Sequence, residues 1–415
     1  MLFARPAVLF LAGLLLTACG TDRRLPVAGG PEPQRLTVQA AGGEGELNAV
    51  RDLLAAFEQA TPGVQVDFVG VPDQGDHLAK LSTSFAGGSP PDVFLLNYRR
   101  LGPFVQRGVV APPDADGLDL YPGPVEAFTY DGALACLPTN ASSTVAYVNE
   151  DLFARAGVPL PAADWTWSDL EAAAQALAAQ GIPAVGFDVG IRLVAPFVWT
   201  AGGEVVDDTD SPSRMTLDTG PGRRALTYLT GLQAYGVDAT ARAAADPVDQ
   251  FTAGRLAIYF DSRRSVPAFR KATGLAFDVR PLPRADAEQP STSLLASDAY
   301  CVSKASQSPA LAASLARFAA AGEGAKVLAR SGRTVPVLRR FAQSADFLAP
   351  GLRPRSSQVF LDVLPDLRRL PNVAVEDEAE EMADDLLTQL FAGKAGLEQT
   401  VRAVEAATAE VYGRG

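Results

Sequence analysis

The sequence has few of the residues that metal sites and nucleophilic enzymes use. It contains one histidine, His77, and three cysteines among 415 residues. A single imidazole can build neither a multi-histidine metal site nor a multi-histidine catalytic centre. Basic residues form no block, and the net charge is −12. We therefore expect no metal, no cofactor and no nucleic-acid partner.

The chain also lacks an apolar run long enough for a permanent membrane anchor at its start. A spanning helix needs about 20 apolar residues, and the run at residues 7–16 has about half that number. Arg5 precedes the run and small residues follow it, which is the order of a secretory signal. LTAC, residues 16–19, resembles a bacterial lipobox. We predict a signal peptide at 1–18 and lipidation of Cys19, with a cysteine that merely lies beside a cleavage site as the alternative.

Residues 19–35 are rich in Gly and Pro without hydrophobic period, so we expect a flexible tether between the lipid and the folded part. The protein would then be exported and held to the cell membrane, at the cell surface or in the periplasm. In such an oxidising compartment the two remaining cysteines, Cys136 and Cys301, can pair.

From residue 36 onwards, the spacing of apolar residues alternates between the pattern of a strand and that of a helix. Short apolar segments at 36–40, 64–68 and 93–96 predict strands, and the apolar spacing between them predicts helices. This order implies an α/β protein with a mostly parallel sheet. Further on, Ser168 and Glu171 suggest a capping box at the start of a helix. The acidic run 376–385 is interpreted as a solvated helix start.

Several motifs in fixed order carry a family resemblance. The segments FEQATPGVQVDF, LSTSFAGGSPPDVFLLN, LPTNASSTVAYVNEDLFARAGVPLP, FTAGRLAIYFDS and AYCVSKAS resemble successive parts of the extracellular solute-binding proteins of ABC importers, in the carbohydrate-binding branch. The resemblance implies a periplasmic-binding-protein-like fold, in which a multi-strand hinge joins two α/β lobes around a ligand cleft.

The resemblance also implies a division of the chain and a set of partners. Lobe 1 would comprise 36–137 with a return segment 298–335, and lobe 2 would comprise 138–297 with C-terminal helices 336–415. The expected partners are a small solute and the permease subunits of an importer, and the expected state is a monomer. The segments around Cys136 and Cys301 run side by side in the family, which predicts a disulfide, with two buried free thiols as the alternative.

Sugars stack their C–H faces on aromatic rings and bind planar polar side chains through their hydroxyls. Candidate ligand residues are therefore aromatic or planar polar residues that follow strands. They are Asn97, Tyr98, Arg99, Trp199, Asp261, Arg263, Asp298, Tyr300 and Arg333. We expect an aromatic platform with planar polar groups from both lobes: Trp199 with Asp261 from one lobe, and Tyr98 with Asn97 from the other.

Two other functions stay open at this point. Arg99, Arg263 and Arg333 are compatible with a glycerol phosphate, a phosphodiester or another small polar solute. An exported carbohydrate-active enzyme would need a poised pair of carboxylates, which the sequence alone does not rule out, whereas Ser142 and Ser143 lack the nucleophile-elbow pattern of a serine hydrolase.

Overall fold

The computed structural model describes residues 33–236 and 246–414 and confirms the predicted two-lobe α/β fold. The predicted signal peptide, Cys19 and most of the predicted tether lie outside the described residues. The tether prediction ends slightly too late, because the first strand already begins at Gln34. No helix in the described ranges is long and apolar enough to cross a membrane.

The strands are β1 (Gln34–Ala41), β2 (Val64–Val71), β3 (Val93–Asn97), β4 (Val110–Ala111), β5 (Thr129–Tyr130), β6 (Ala133–Leu134), β7 (Leu137–Pro138), β8 (Asn140–Ser143), β9 (Val145–Asn149), β10 (Val185–Gly186), β11 (Ile258–Asp261), β12 (Phe277–Arg280), β13 (Ser293–Ala296), β14 (Asp298–Ser303), β15 (Val335–Pro336) and β16 (Leu367–Arg368).

The α-helices in the described ranges are α1 (Glu44–Ala60), α2 (Gln74–Ala86), α3 (Gly102–Gln106), α4 (Pro122–Ala127), α5 (Glu150–Ala156), α6 (Trp167–Ala178), α7 (Ile191–Thr200), α8 (Gly220–Leu232), α9 (Pro247–Thr252), α10 (Val266–Lys271), α11 (Pro309–Ala321), α12 (Glu323–Ser331), α13 (Arg339–Ala342), α14 (Ala345–Leu348), α15 (Val359–Asp362), α16 (Glu376–Phe391) and α17 (Leu397–Tyr412).

Lobe 1 is built on a sheet of order β2-β1-β3-β14-β4, with β7 also paired to β14. The first three strands are parallel, as their alternation with helices predicts. Helix α1 covers this sheet through an apolar face. That face consists of Leu47, Val50, Leu53, Leu54 and Phe57, all buried.

Lobe 2 is built on a smaller sheet of order β10-β11-β9-β12. Helix α6 begins on its N-cap Thr166, whose hydroxyl accepts from the backbone N–H of Asp169 at 3.3 Å. The capping box is therefore Thr166 with Asp169. The predicted pair, Ser168 with Glu171, lies two residues too far along the chain, although the helix itself begins at Trp167.

A third sheet, of order β15-β8-β13-β16, lies where the chain passes between the lobes. Strand β8 leads out of lobe 1 and pairs antiparallel with β13, which leads back into β14. Strand β16 is a third passage and pairs parallel with β13. Three short strands therefore join the lobes, a geometry that suits hinge motion.

A disulfide fastens lobe 1 beside this junction. Cys136 and Cys301 are bonded, with Cα atoms 4.5 Å apart. Residues 137–138 and 299–300 pair as antiparallel strands directly next to the cysteines. The bond thus closes a loop that contains the whole of lobe 2's sheet.

The C-terminal part of the chain is shared between the lobes. Leu338 and Phe341 pack with Leu118 and Leu120 against lobe 1, so the segment directly after residue 335 belongs there rather than to lobe 2, where it was predicted. Helices α16 and α17 pack into the hydrophobic core that contains α6, α7 and α8.

The acidic start of α16 is only partly solvated: Glu378, Glu381 and Asp385 are exposed as predicted, but two other carboxylates of the run are not. Glu376 is fully buried and Glu380 is 4% exposed. Both lie on the helix face that also carries the buried Ala383 and Leu387. Their carboxyl groups therefore face the interior of the protein.

Candidate functional site

Two cavities flank the strands that join the lobes. The first, the lobe 1 cavity, has a volume of about 160 Å³. It is lined by Ala41, Gly42, Glu46, Ala49, Val50, Gln74, Leu95, Asn97, Thr139, Asn140, Asp298, Tyr300, Leu328, Ser331, Arg333 and Thr334.

The second, the lobe 2 cavity, has a volume of about 360 Å³. It is lined by Arg99, Ser143, Thr144, Asp188, Val189, Gly190, Arg192, Leu193, Phe260, Asp261, Ser262, Arg264, Leu294, Leu295, Ala296 and Asp384.

The chain connects the two cavities directly. Strand β8 supplies Asn140 to one and Ser143 to the other. Asn97 and Arg99 also lie on opposite sides, and the Arg99 Nε donates to Asn97 Oδ1 at 3.3 Å. The cavities are therefore neighbouring parts of one cleft.

A hydrogen-bonded carboxylate, Asp298, lines the lobe 1 cavity. Its Oδ1 accepts from Asn97 Nδ2 at 3.0 Å and its Oδ2 accepts from Asn140 Nδ2 at 3.1 Å. Asn140 Oδ1 in turn accepts from the backbone N–H of Asp298 at 3.1 Å. Burial raises the pKa of Asp298, and the two amide donors only partly offset that effect. Three strands thus present a carboxylate between two amides.

The rim of the lobe 1 cavity is an ion pair at the start of α1. Arg333 Nη2 lies 2.8 Å from Glu46 Oε1, and Glu46 Oε2 accepts from the backbone N–H of Gly43 at 2.9 Å. Gly42 adopts φ +151°, and a Cβ there would lie 2.7 Å from that of Glu46. The glycine-rich turn after β1 therefore lines the cleft.

The lobe 2 cavity combines cations with carboxylates. Asp261, at the end of β11, accepts from the Ser265 hydroxyl and lies 3.3 Å from Arg264 Nε. Asp188 accepts from the Tyr259 hydroxyl at 3.1 Å, and burial raises the pKa of Asp188. Such paired donors and acceptors can bind hydroxyl groups, which need both.

Asp384 reaches this cavity from α16. It accepts from the backbone N–H of Ile191, the first residue of α7, at 2.6 Å. Burial raises the pKa of Asp384 to about 6, although the bond from Ile191 opposes the shift. The residue therefore fixes the start of α7 at the cavity wall.

Six of the nine predicted ligand residues line the cleft. Asn97, Asp298, Tyr300 and Arg333 are at the lobe 1 cavity. Arg99 and Asp261 are at the lobe 2 cavity. Whether they bind a ligand stays a prediction.

Three predicted ligand residues lie in the core instead. Tyr98 is fully buried, and its hydroxyl accepts from the backbone N–H of Leu370 at 3.1 Å. Arg263 is also fully buried, between the rings of Phe347 and Phe360 at 4.1 and 4.8 Å from their centroids. Neither side chain can reach a solute in this structure.

Trp199 is the third of these residues. It lies near the end of α7 and is 5% exposed. The guanidinium of Arg368 covers its ring at 4.9 Å from the centroid. The two expected aromatic rings, Trp199 and Tyr98, are therefore not exposed in the cleft.

Several cleft residues were not predicted from the sequence. They are Glu46, Asn140, Asp188, Arg192, Arg264 and Asp384. Asn140 lies within a motif already noted, and Arg264 is the neighbour of the wrongly chosen Arg263. Asp188 and Arg192 flank the start of α7, where turn residues precede an apolar helix.

Glu376→Gln is expected to remove a pH-dependent loss of stability. Burial, and then the charge of Glu380, raise the pKa of Glu376 from 4.5 to about 8. The folded protein therefore keeps a proton that the unfolded chain has lost, so wild-type stability falls as pH rises from about 4.5 to about 8. Glutamine cannot ionise and still accepts from the Tyr412 hydroxyl, which lies 2.9 Å from Glu376 Oε2.

The free energy of unfolding of the variant should exceed that of the wild type by up to about 1.4 kcal/mol more for each pH unit in that interval. Urea unfolding of both proteins at pH 5, 7 and 9 measures the difference. A constant difference at all three pH values would show that the Glu376 carboxyl has an ordinary pKa.

Comparisons with known proteins agree with this architecture. Residues 52–354 match a family described as bacterial extracellular solute-binding protein. A Brucella abortus protein named only as a binding protein is 32% identical over 163 residues, which are 37% of this chain and 39% of the relative. A Brucella suis protein matches equally. The match thus spans about two fifths of the length of these curated relatives.

Solved structures share the fold over nearly the whole chain. An ABC substrate-binding protein of Listeria monocytogenes, in complex with cycloalternan, has a TM-score of 0.81 at 23% identity and covers 92% of this chain and 99% of its own. The GacH receptor of Streptomyces glaucescens, solved unliganded and with acarbose, has a TM-score of 0.79 at 19% identity with the same coverage. At these identities the likeness shows a common fold.

Proposed function

Because the chain belongs to the bacterial extracellular solute-binding protein family, we propose that it captures a neutral sugar or oligosaccharide between its lobes. It then delivers the sugar to the permease subunits of an ABC importer. The protein acts by binding and release, without chemical conversion of the solute.

The observation that carries the proposal is the pairing of charges along the cleft. Every arginine that lines the two cavities in the described ranges lies beside a carboxylate. The pairs are Arg99 and Arg192 with Glu380, Arg264 with Asp261, and Arg333 with Glu46. The Asp298 carboxylate is bound by two amides. Such a wall offers donors and acceptors side by side without a surplus of positive charge.

This arrangement favours hydroxyl groups over phosphate. A hydroxyl both donates and accepts, so it can bridge an arginine and its carboxylate partner. A phosphate needs free cations or backbone donors, and the carboxylates of these pairs would repel it. The alternative of a glycerol phosphate or phosphodiester ligand is therefore not supported by these cavities.

The position of the cavities fits a ligand enclosed by both lobes. Asn97 and Asp298 come from the lobe 1 sheet and Asp261 from the lobe 2 sheet. Hinge closure over the three joining strands would remove a bound sugar from water on both sides. Relatives with this fold were solved with cycloalternan and acarbose, which supports a saccharide ligand here.

A thermal-shift and calorimetric screen tests the proposal. The panel comprises glucose, tagatose, maltose, maltotriose and acarbose, with glycerol 3-phosphate and glycerophosphocholine as anionic comparators. At 100 times its dissociation constant a ligand adds about 2.7 kcal/mol of stability. We expect a neutral saccharide to bind and to be released without chemical conversion. Preference for a phosphorylated comparator, turnover of a glycoside, or no saccharide binding would overturn the proposal.

We also propose that lipid on Cys19 holds the protein to the membrane. In the natural host, mass spectrometry should find a mature chain that starts at a lipid-modified Cys19. Cys19→Ala should shift the protein from the membrane fraction, because the acyl chains supply most of the membrane affinity. Cleavage at another residue, with a free thiol at Cys19, would contradict this.

A further inference from the structure

One buried carboxylate on α16 contacts arginines from both lobes. Glu380 Oε1 and Oε2 lie 2.7 and 2.9 Å from Arg99 Nη1. Its Oε2 also accepts from Arg192 Nη2 at 3.1 Å and from Arg192 Nε at 3.3 Å. The two contacts from Arg99 have the length of charge-assisted hydrogen bonds, and the two from Arg192 are longer.

The two arginines belong to different lobes. Arg99 lies in the short 3-10 helix that follows β3 of lobe 1, and Arg192 lies in the first turn of α7 of lobe 2. Both line the lobe 2 cavity, where the Arg192 side chain is 50% exposed. The Glu380 side chain is only 5% exposed and lies behind them.

The charge of Glu380 is needed in this position. Burial alone would raise the pKa of Glu380, but Arg99, Arg192 and Arg100 outweigh burial and hold it below its ordinary value. Without the carboxylate, the two guanidinium groups would repel each other across the cleft. They would also lose the acceptor that fixes their planes.

We propose that Glu380 is a positioning residue that holds Arg99 and Arg192 in one fixed geometry, so that both lobes donate to the same bound saccharide. This role rests on the proposed function. The ligand contacts the arginines and not Glu380, so the residue sets affinity from behind the cleft and links the two lobes at the ligand.

The test compares Glu380→Gln with Glu376→Gln. Both variants replace a buried carboxyl of the same helix by its amide, but Glu376 bonds to Tyr412 rather than to a cleft arginine. Calorimetry at pH 7 uses the panel saccharide that binds the wild type most tightly. We expect Glu380→Gln to weaken binding at least tenfold and Glu376→Gln to weaken it less than twofold.

A second comparison separates positioning from folding. In an Arg192→Gln background one of the two positioned donors is already lost, so Glu380→Gln should cause a clearly smaller further loss of affinity than in the wild type. The melting temperature, which reports any purely structural role, is measured for the wild type, for each single variant and for the double variant.

The outcomes are distinct. A lower melting temperature of Glu380→Gln with wild-type affinity, or equal losses in the two backgrounds, would overturn the positioning role and leave the proposed function standing. Failure of the wild type to bind any panel saccharide would overturn the proposed function itself, and the role of Glu380 with it.

Discussion

Asp298→Ala should weaken binding of the preferred saccharide about 100-fold. The substitution removes the carboxylate that we expect to accept from sugar hydroxyls, and it leaves the amide donors of Asn97 and Asn140 without their acceptor. A buried polar group left unpaired costs about 1–3 kcal/mol, and two such groups are affected in the closed cleft. Isothermal titration calorimetry measures the change.

The matched control is Asp67→Ala, on strand β2 of the same sheet. Asp67 forms an exposed ion pair with Arg35 at 3.1 Å, and a pair of this kind contributes about 0–1 kcal/mol to stability. Its loss should leave saccharide affinity unchanged. Equal affinities of Asp298→Ala and Asp67→Ala would show that the lobe 1 cavity is not the binding site.

Trp199→Ala should lower the free energy of unfolding by about 3–5 kcal/mol, the cost typical of a buried aromatic replaced by alanine. Trp199 is 5% exposed and lies within the main core of lobe 2. This expectation replaces the prediction from sequence, in which the ring faced the cleft. Denaturant unfolding of the ligand-free protein measures the effect.

Arg368→Ala is the control for Trp199. It removes the guanidinium that covers the ring but leaves the core filled. We therefore expect the free energy of unfolding to fall by only about 0.5–1 kcal/mol. If Trp199→Ala were as stable as Arg368→Ala and bound no saccharide, the ring would belong to the binding site after all.

The order of elements was predictable because it depends on local hydrophobic period. The strands predicted at 36–40 and 93–96 appear within one or two residues of those positions, and helix α1 lies between the first two predicted strands. Turn residues such as Gly63, between α1 and β2, mark in the sequence where one element ends and the next begins. The alternation then leaves few ways to form the lobe 1 sheet.

Side-chain direction explains one error that the sequence had the means to prevent. In β3, Phe94 and Leu96 face the core, while Leu95 and Asn97 line the lobe 1 cavity. The alternation of a strand assigns Tyr98, the next residue, to the core side. In α16 the helical period of 3.6 residues likewise assigns Glu376 and Glu380 to the same face as Ala383 and Leu387.

Other parts of the site depend on contacts between distant segments. Arg263 is buried because Phe347 and Phe360 pack against it. The sequence around residue 263 does not indicate that these distant rings will contact it. Trp199 belongs to a helix in which nine of ten residues are buried. Periodicity in such a helix does not reveal which side faces a cleft.

A crystal structure of the protein with the saccharide selected by the screen tests the central claim most directly. We predict that the sugar lies between the lobes, with hydroxyls bound to Asp298 and Asn140 on one side and to Asp261 and Arg264 on the other. A sugar bound elsewhere, such as in the groove beside Trp165 between α5 and α6, would contradict the assignment of the cleft.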